Sequence, residues 1–437
     1  MKRLHRLLAV LSILNLVPLC LASTARAYAV APVDDPFSSL RLARIAAWQQ
    51  TQVDAGGIPG AVAAIARNGK VAYLRAVGFR DRAKTIPLQT DAIFWIASMT
   101  KPITSVAAMM LVEDGKLNLA APVHQYLPEL KDVMVGVDTK DPVTGKTGLA
   151  LEPQKRPMTV EDLLRHTAGL VYGQFGDRLV HQAYREANVR DRGQSLAEMV
   201  KKLATLPLAH HPGEVWEYSM GTDVLGRVIE VVSGMELDRF ISERITKPLG
   251  MAATDFYVHQ PDLARLAEAQ ASAEGKRPDL PDVTQKPRLL SGGGGMVSSA
   301  ADYLRFSLML QNGGEYAGVR LLSPHTVRLM TSDALPPNIG YTERGVRTNQ
   351  DVAPMPQMGQ GFGLGFAVRT AAGRNPLPGS IGTYYWTGAW GTTFFVDPQE
   401  KLVAIQLIQT PANAGGPYRR LFRQLTYSAL TGTETER

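Results

Sequence analysis

Apolar positions in this chain follow a period of two near both ends and a helical period in the middle. Residues 61–66 and 71–77 are apolar runs split by Asn68-Gly69-Lys70. Asn-Gly readily takes the positive φ of a tight hairpin turn, so the spacing predicts a β-hairpin. Residues 103–114 predict a helix ended by Gly115. Thr159 and Asp162 form a capping pair that opens a short helix stopped near Gly169. Helical periods return at residues 196–204, 222–232 and 237–245, the last closed by Pro248 and Gly250. Ser298 to Asp302 open another helix, running to about Gln311. Residues 363–368, 392–396 and 402–409 are short, apolar and β-branched, and predict strands before a final helix at 418–430. The polar stretch 136–157 reads as a surface loop. Strands at both ends and helices between them predict an α+β fold. Its antiparallel sheet is closed by the two chain ends, and a helical lobe is inserted.

The first 27 residues break this pattern. Lys2, Arg3, His5 and Arg6 precede an apolar run from Leu7 to Leu21, followed by Ala25-Arg26-Ala27. A basic start, a short apolar stretch and a small-x-small site are the parts of a secretory leader. The run is too short to span a bilayer. The expectation is a leader at 1–27, a mature chain at 28–437, and a periplasmic or secreted location. Within the mature chain, a sheet lobe is expected at about 35–120 and 290–435, and a helical lobe at about 121–289. Cleavage removes Lys2, Arg3, Arg6 and Arg26 and no acid, so the formal charge falls from +7 to +3. That balance gives no reason to expect nucleic acid. Cys20, the only cysteine, leaves with the leader, so disulfide and thiol chemistry are not expected.

Ser98-Met99-Thr100-Lys101 supplies the candidate chemistry. Residues three apart share a helix face, so Lys101 can approach the Ser98 hydroxyl. Serine needs such a neighbour, because its hydroxyl hardly ionises at neutral pH. The apolar segment 93–97 leads in and the helix from Ile103 leads out. Ser98 therefore stands at a helix N-terminus, where free N–H groups favour developing negative charge. An S-x-x-K pattern is common by chance, and Ser98 could equally be a simple cap. More blocks are needed.

They are present, in order. The segment from Phe94 to Lys101 resembles the nucleophile block of the serine β-lactamase and penicillin-binding protein superfamily. Leu163 to Leu170, with its His-Thr-Ala-Gly core, resembles another of its blocks. So do Trp216-Glu217-Tyr218-Ser219 with Asp223 to Gly226, and Lys247 to Met251. Trp386-Thr387-Gly388-Ala389-Trp390-Gly391 stands where the third catalytic box belongs. The resemblance covers roughly residues 40–430. It is nearer to the esterase branch with the class C β-lactamase fold, the family VIII carboxylesterases that include 1,4-butanediol diacrylate esterases. It implies a β-lactamase/transpeptidase-like fold and a Ser98, Lys101, Tyr218 site that works through an acyl-serine. Either Tyr218 as phenolate or a neutral Lys101 is the base. The backbone N–H groups of Ser98 and Ala389 form the oxyanion hole by position in the matching boxes. Met220, Trp386, Gly388 and Trp390 are the expected substrate contacts.

Two departures bear on substrate. Met220 occupies the Asn place of the β-lactamase second block, and Trp386 replaces the lysine that opens the third box. Losing that cation removes a charge-assisted hydrogen bond to a substrate carboxylate, worth about 1.5–3 kcal/mol. The expected substrate is therefore a small neutral ester. β-Lactamase, D-Ala-D-Ala carboxypeptidase, D-aminopeptidase, acyltransferase and non-catalytic binding functions stand as alternatives on the same fold. Lys146-Thr147-Gly148 spells the β-lactamase third box but precedes the tyrosine block, and reads as surface. His166 reads as structural. The eight histidines show no zinc spacing, Gly292 to Gly295 lack the Lys-Ser/Thr of a phosphate loop, and no G-x-S-x-G occurs. No cofactor or metal is expected.

Overall fold

The computed structural model describes residues 37–81, 83, 85–270, 280–410 and 414–431. The leader expected at 1–27 lies outside these residues. Seven strands form one sheet: β1 (Gly60–Arg67), β2 (Lys70–Gly78), β3 (Gln360–Phe362), β4 (Ala367–Arg369), β5 (Tyr384–Thr387), β6 (Thr393–Asp397) and β7 (Leu402–Ile408). Their spatial order is β3-β4-β5-β6-β7-β1-β2. Every pairing is antiparallel. The two chain ends meet in the β1–β7 pair, with Ala61 opposite Ile408 and Arg67 opposite Leu402. The hairpin turns at Asn68 and Gly69, both at positive φ.

Helices cover both faces. Successive strand residues point to opposite sides. In β6, Phe394 meets Tyr303 of the helix Ala300–Gln311, and Phe395 meets Phe422 of the helix Gly416–Ser428. The helix Ser39–Asp54 joins the second layer, and its Gln49 bonds Gln406 of β7 at 3.0 Å. The helix Thr100–Glu113 is buried from Thr100 to Leu111 and packs on the helix Gly221–Ser233. It forms the interior of the molecule, and the Ser98-Met99-Thr100-Lys101 block stands at its start.

The structure corrects several expected elements. Residues 136–157 are not a loop: Val135–Lys140 and Thr147–Glu152 pair as a hairpin. Most of its residues are at least partly exposed, so it shows no apolar alternation by which a strand could be read. Lys146 sits at the turn, on the surface. Of the strand expected at 363–368, residues 363–366 form a turn between β3 and β4, with Gly365 at φ +93 and Gly363 N–H bonded to Phe366 O at 2.8 Å, and only Ala367 and Val368 lie in a strand, as the start of β4. The helix at 237–245 is regular only over Leu237–Ile241 and widens at Ser242–Thr246. The capping pair at Thr159 and Asp162 is present, and the helix it opens spans Val160–Leu164.

Candidate active site

Strand Ile93–Trp95 pairs with Val297–Ser299 and delivers the chain to a single 3₁₀ turn, Ala97–Met99. Ala97 is held at φ +46, a left-handed conformation that costs a non-glycine residue on the order of 1–3 kcal/mol. The bend places Ser98 at the wall of a cavity of about 570 Å³. Met99 donates the first bond of the turn, to Ile96 O at 3.0 Å. The Ser98 N–H precedes it and lies at the unbonded head of the turn.

Tyr218 comes from the stretch between Val215–Trp216 and the helix Gly221–Ser233. Its hydroxyl lies 2.8 Å from Ser98 Oγ. Lys101 is only 1% exposed. Its Nζ donates to Tyr172 Oη at 2.9 Å and to Gly293 O at 2.6 Å, and stands 4.7 Å from the centroid of the Tyr218 ring. Ser98, Lys101 and Tyr218 therefore meet. The serine's close partner is the tyrosine, however, and the lysine serves the tyrosine rather than bonding the serine.

Two further side chains belong to this cluster: Tyr172, which was not singled out in the sequence, and Asp223, which stood in the second block without a role of its own. Tyr172 takes the Lys101 bond and lies 3.4 Å from Asp223 Oδ2. Burial, then the Asp223 charge, then Tyr218 push the Tyr172 phenol well above its usual range, so it stays a neutral donor and acceptor. Asp223 Oδ1 accepts the Ser291 hydroxyl and the Gly293 N–H. The available signal was the glycine run. A Cβ on Gly293 would stand 2.3 Å from Asp223 Oδ2, and one on Gly292 would stand 2.8 Å from Thr222 O. The glycines let this backbone pass close enough for its carbonyl to hold Lys101.

The Trp386–Gly391 segment lies beside Ser98. A Cβ on Gly388 would stand 2.4 Å from Ile96 O, so only glycine fits there. Gly388 and Ala389 line the cavity, and the Ala389 N–H has no partner among the described residues. Met220 and Trp386 also reach the cavity, although both are almost fully buried. Trp386 packs on Tyr218 and Phe362, with ring centroids 5.7 and 5.5 Å away. It fills the lysine's place as a wall rather than as a hydrogen-bonding group. Trp390 stands one layer back, 5.9 Å from the ring of Trp95, and Trp95 makes the lining expected of it. His166 is buried edge-on to Tyr218 at 5.0 Å, with Nδ1 3.2 Å from Ser219 Oγ. Burial and then the Lys101 charge hold its pKa well below the usual imidazole range, so it packs as a neutral ring.

The beta-lactamase family model matches residues 45–428. The chain belongs to the beta-lactamase family. Esterase EstB of Burkholderia gladioli is 31% identical over 389 residues, covering 84% of this chain and 91% of that protein. The lovastatin esterase of Penicillium rubens is 30% identical over 382 residues, covering 82% and 91%. Among solved structures, EstCE1, a hydrolase with promiscuous acyltransferase activity, superposes with a TM-score of 0.71 at 27% identity, covering 90% of this chain and 99% of that one. Family and fold make this chain a serine hydrolase with carboxylesterase relatives. No described helix is long and apolar enough to cross a membrane.

Proposed function

We propose that this protein is an exported carboxylesterase that cleaves neutral esters through an acyl-serine on Ser98. The observation that carries the reading is the Tyr218 hydroxyl at 2.8 Å from Ser98 Oγ, with Lys101 Nζ against the face of the same ring. Tyr218 is the base: it takes the Ser98 proton as Oγ attacks the ester carbonyl, then gives it to the leaving alcohol. Water repeats the sequence on the acyl-serine and releases the acid. Lys101 Nζ stands 4.7 Å from the centroid of the ring that takes the proton. Tyr172 and Asp223 hold Lys101 in place. The N–H groups of Ser98 and Ala389 receive the negative charge of the tetrahedral intermediate. Trp386 in the cation's place supports a neutral substrate, as does the esterase relationship. Export rests on the basic and apolar leader. An alcohol replacing water at the second step would give acyl transfer, an activity named for EstCE1.

The test is hydrolysis of p-nitrophenyl esters of graded chain length beside a chromogenic cephalosporin. The expected result is ester turnover far above cephalosporin turnover, abolished in Ser98→Ala. Cephalosporin turnover exceeding ester turnover would overturn the substrate assignment, and ester turnover surviving in Ser98→Ala would overturn the nucleophile.

A further inference from the structure

An oxyanion donor is effective only when its N–H is aimed in advance at the place where charge develops. Ala389 is exposed at the tip of the turn between β5 and β6, while Gly388, Trp390 and Gly391 around it are buried, so its peptide plane is held by the turn's own contacts rather than by a strand ladder. In a trans peptide the C=O and the next N–H point in opposite directions. Whatever holds Gly388 O therefore sets the direction of the Ala389 N–H.

Two donors hold Gly388 O. One is the Gly391 N–H at 3.1 Å, which closes the turn. The other is Nη2 of Arg419, from the first part of the C-terminal helix Gly416–Ser428. Arg419 is anchored in turn: its Nη1 donates to Asp351 Oδ2 at 2.9 Å, and Arg420 Nη1 holds Asp351 Oδ1 at 3.0 Å. The Arg419 side chain is 13% exposed. The helix start is seated directly on the turn, since a Cβ on Gly415 would stand 2.5 Å from the Gly391 Cα. A guanidinium suits the task, because its rigid fork can grip a carboxylate with one nitrogen and a carbonyl with the other.

We propose that Arg419, braced by Asp351, is a positioning residue that locks the Gly388–Ala389 peptide with its N–H toward Ser98. This rests on the reading of Ala389 as an oxyanion donor given above. Arg419 lines the same cavity, so the competing role is that of an anchor for a substrate carboxylate. Its two terminal nitrogens are already committed, Nη1 to Asp351 and Nη2 to Gly388, which favours positioning, although Nε has no partner among the described residues.

Steady-state kinetics on p-nitrophenyl butyrate and on the anionic p-nitrophenyl hemisuccinate separate the two roles. Phenylboronic acid, which forms a tetrahedral adduct with an active-site serine, serves as the oxyanion probe. In Arg419→Ala, kcat for both esters should fall roughly 10–100-fold, somewhat less than for outright loss of an oxyanion donor. KM should change by less than about threefold, and the inhibition constant of phenylboronic acid should rise in step with the fall in kcat. Asp351→Asn and Arg419→Lys should show smaller losses of the same kind, and free guanidinium should restore part of the kcat of Arg419→Ala. A wild-type kcat in folded Arg419→Ala overturns the proposal. So does a loss confined to the KM of the anionic ester. If Arg419→Ala does not fold, wild-type kcat in both milder variants overturns it instead. Ester turnover in Ser98→Ala is a separate result and would remove the underlying reading, whatever Arg419 does.

Discussion

At the scale of single residues the site divides its labour. Tyr218 touches Ser98, and Lys101 touches Tyr218 through charge and Tyr172 through a hydrogen bond. Tyr218→Phe removes the only proton carrier seen against Ser98 Oγ among the described residues. Its kcat should fall by a factor of about 10² or more, as expected for loss of a general base. Lys101→Ala leaves the phenol without its cation and should lose a similar factor. Steady-state assay of one short-chain ester checks both, and a Tyr218→Phe enzyme within a few-fold of wild type would show that another group accepts the proton. Ser98, Lys101 and Tyr218 were legible in the sequence because each sits in a block with a recognisable order. Tyr172, Asp351 and Arg419 were not, and Asp223 was legible only as a member of the second block, not as a support of the Lys101 site. They come from segments whose meeting depends on tertiary packing, and a lone buried tyrosine or arginine carries no mark of that in the chain.

Among the elements, the short helix Val160–Leu164 has its support spelled out in its polar groups. Asp162 is 0% exposed and accepts from Arg156, Arg165, Thr159 and Thr167. Burial pushes its carboxyl upward, but bonds from Arg156, Thr159 and Thr167 outweigh that and bring it to about 2 from 3.8. Glu217, beside Tyr218, behaves alike. Burial raises it, while bonds from His181 and His210, each 2.7 Å away, bring it to about 2 from 4.5. A carboxyl lowered on folding stabilises the native state above its unfolded pKa and loses that contribution as pH falls through the folded one. Stability should therefore drop between about pH 4.5 and pH 2. The shift at Asp162 alone corresponds to on the order of 2 kcal/mol. Urea unfolding from pH 7 to pH 2 should show Asp162→Asn less stable at neutral pH and flatter across the acid range; parallel curves for variant and wild type would contradict this. The cap at Thr159 was legible because capping is local. The Val135–Glu152 hairpin was not, because exposed strands carry no hydrophobic period.

For the molecule as a whole, the antiparallel sheet joining both chain ends followed from apolar runs at the two ends of the sequence, and β1 and β7 meet as expected. The turn at Gly365 was hidden because the residues around it are as apolar as a strand. The fold brings the nucleophile turn, the tyrosine, the glycine run and the third box to one cavity, although they are spread from Ser98 to Ala389 in the chain. The central claim is that this cavity makes an acyl-serine at Ser98. Intact-protein and peptide mass spectrometry after rapid acid quench with a p-nitrophenyl ester tests it most directly. The account predicts one acyl group on the peptide carrying Ser98, lost on longer incubation and absent in Ser98→Ala. An adduct on a different residue, or one that persists in Ser98→Ala, would contradict it.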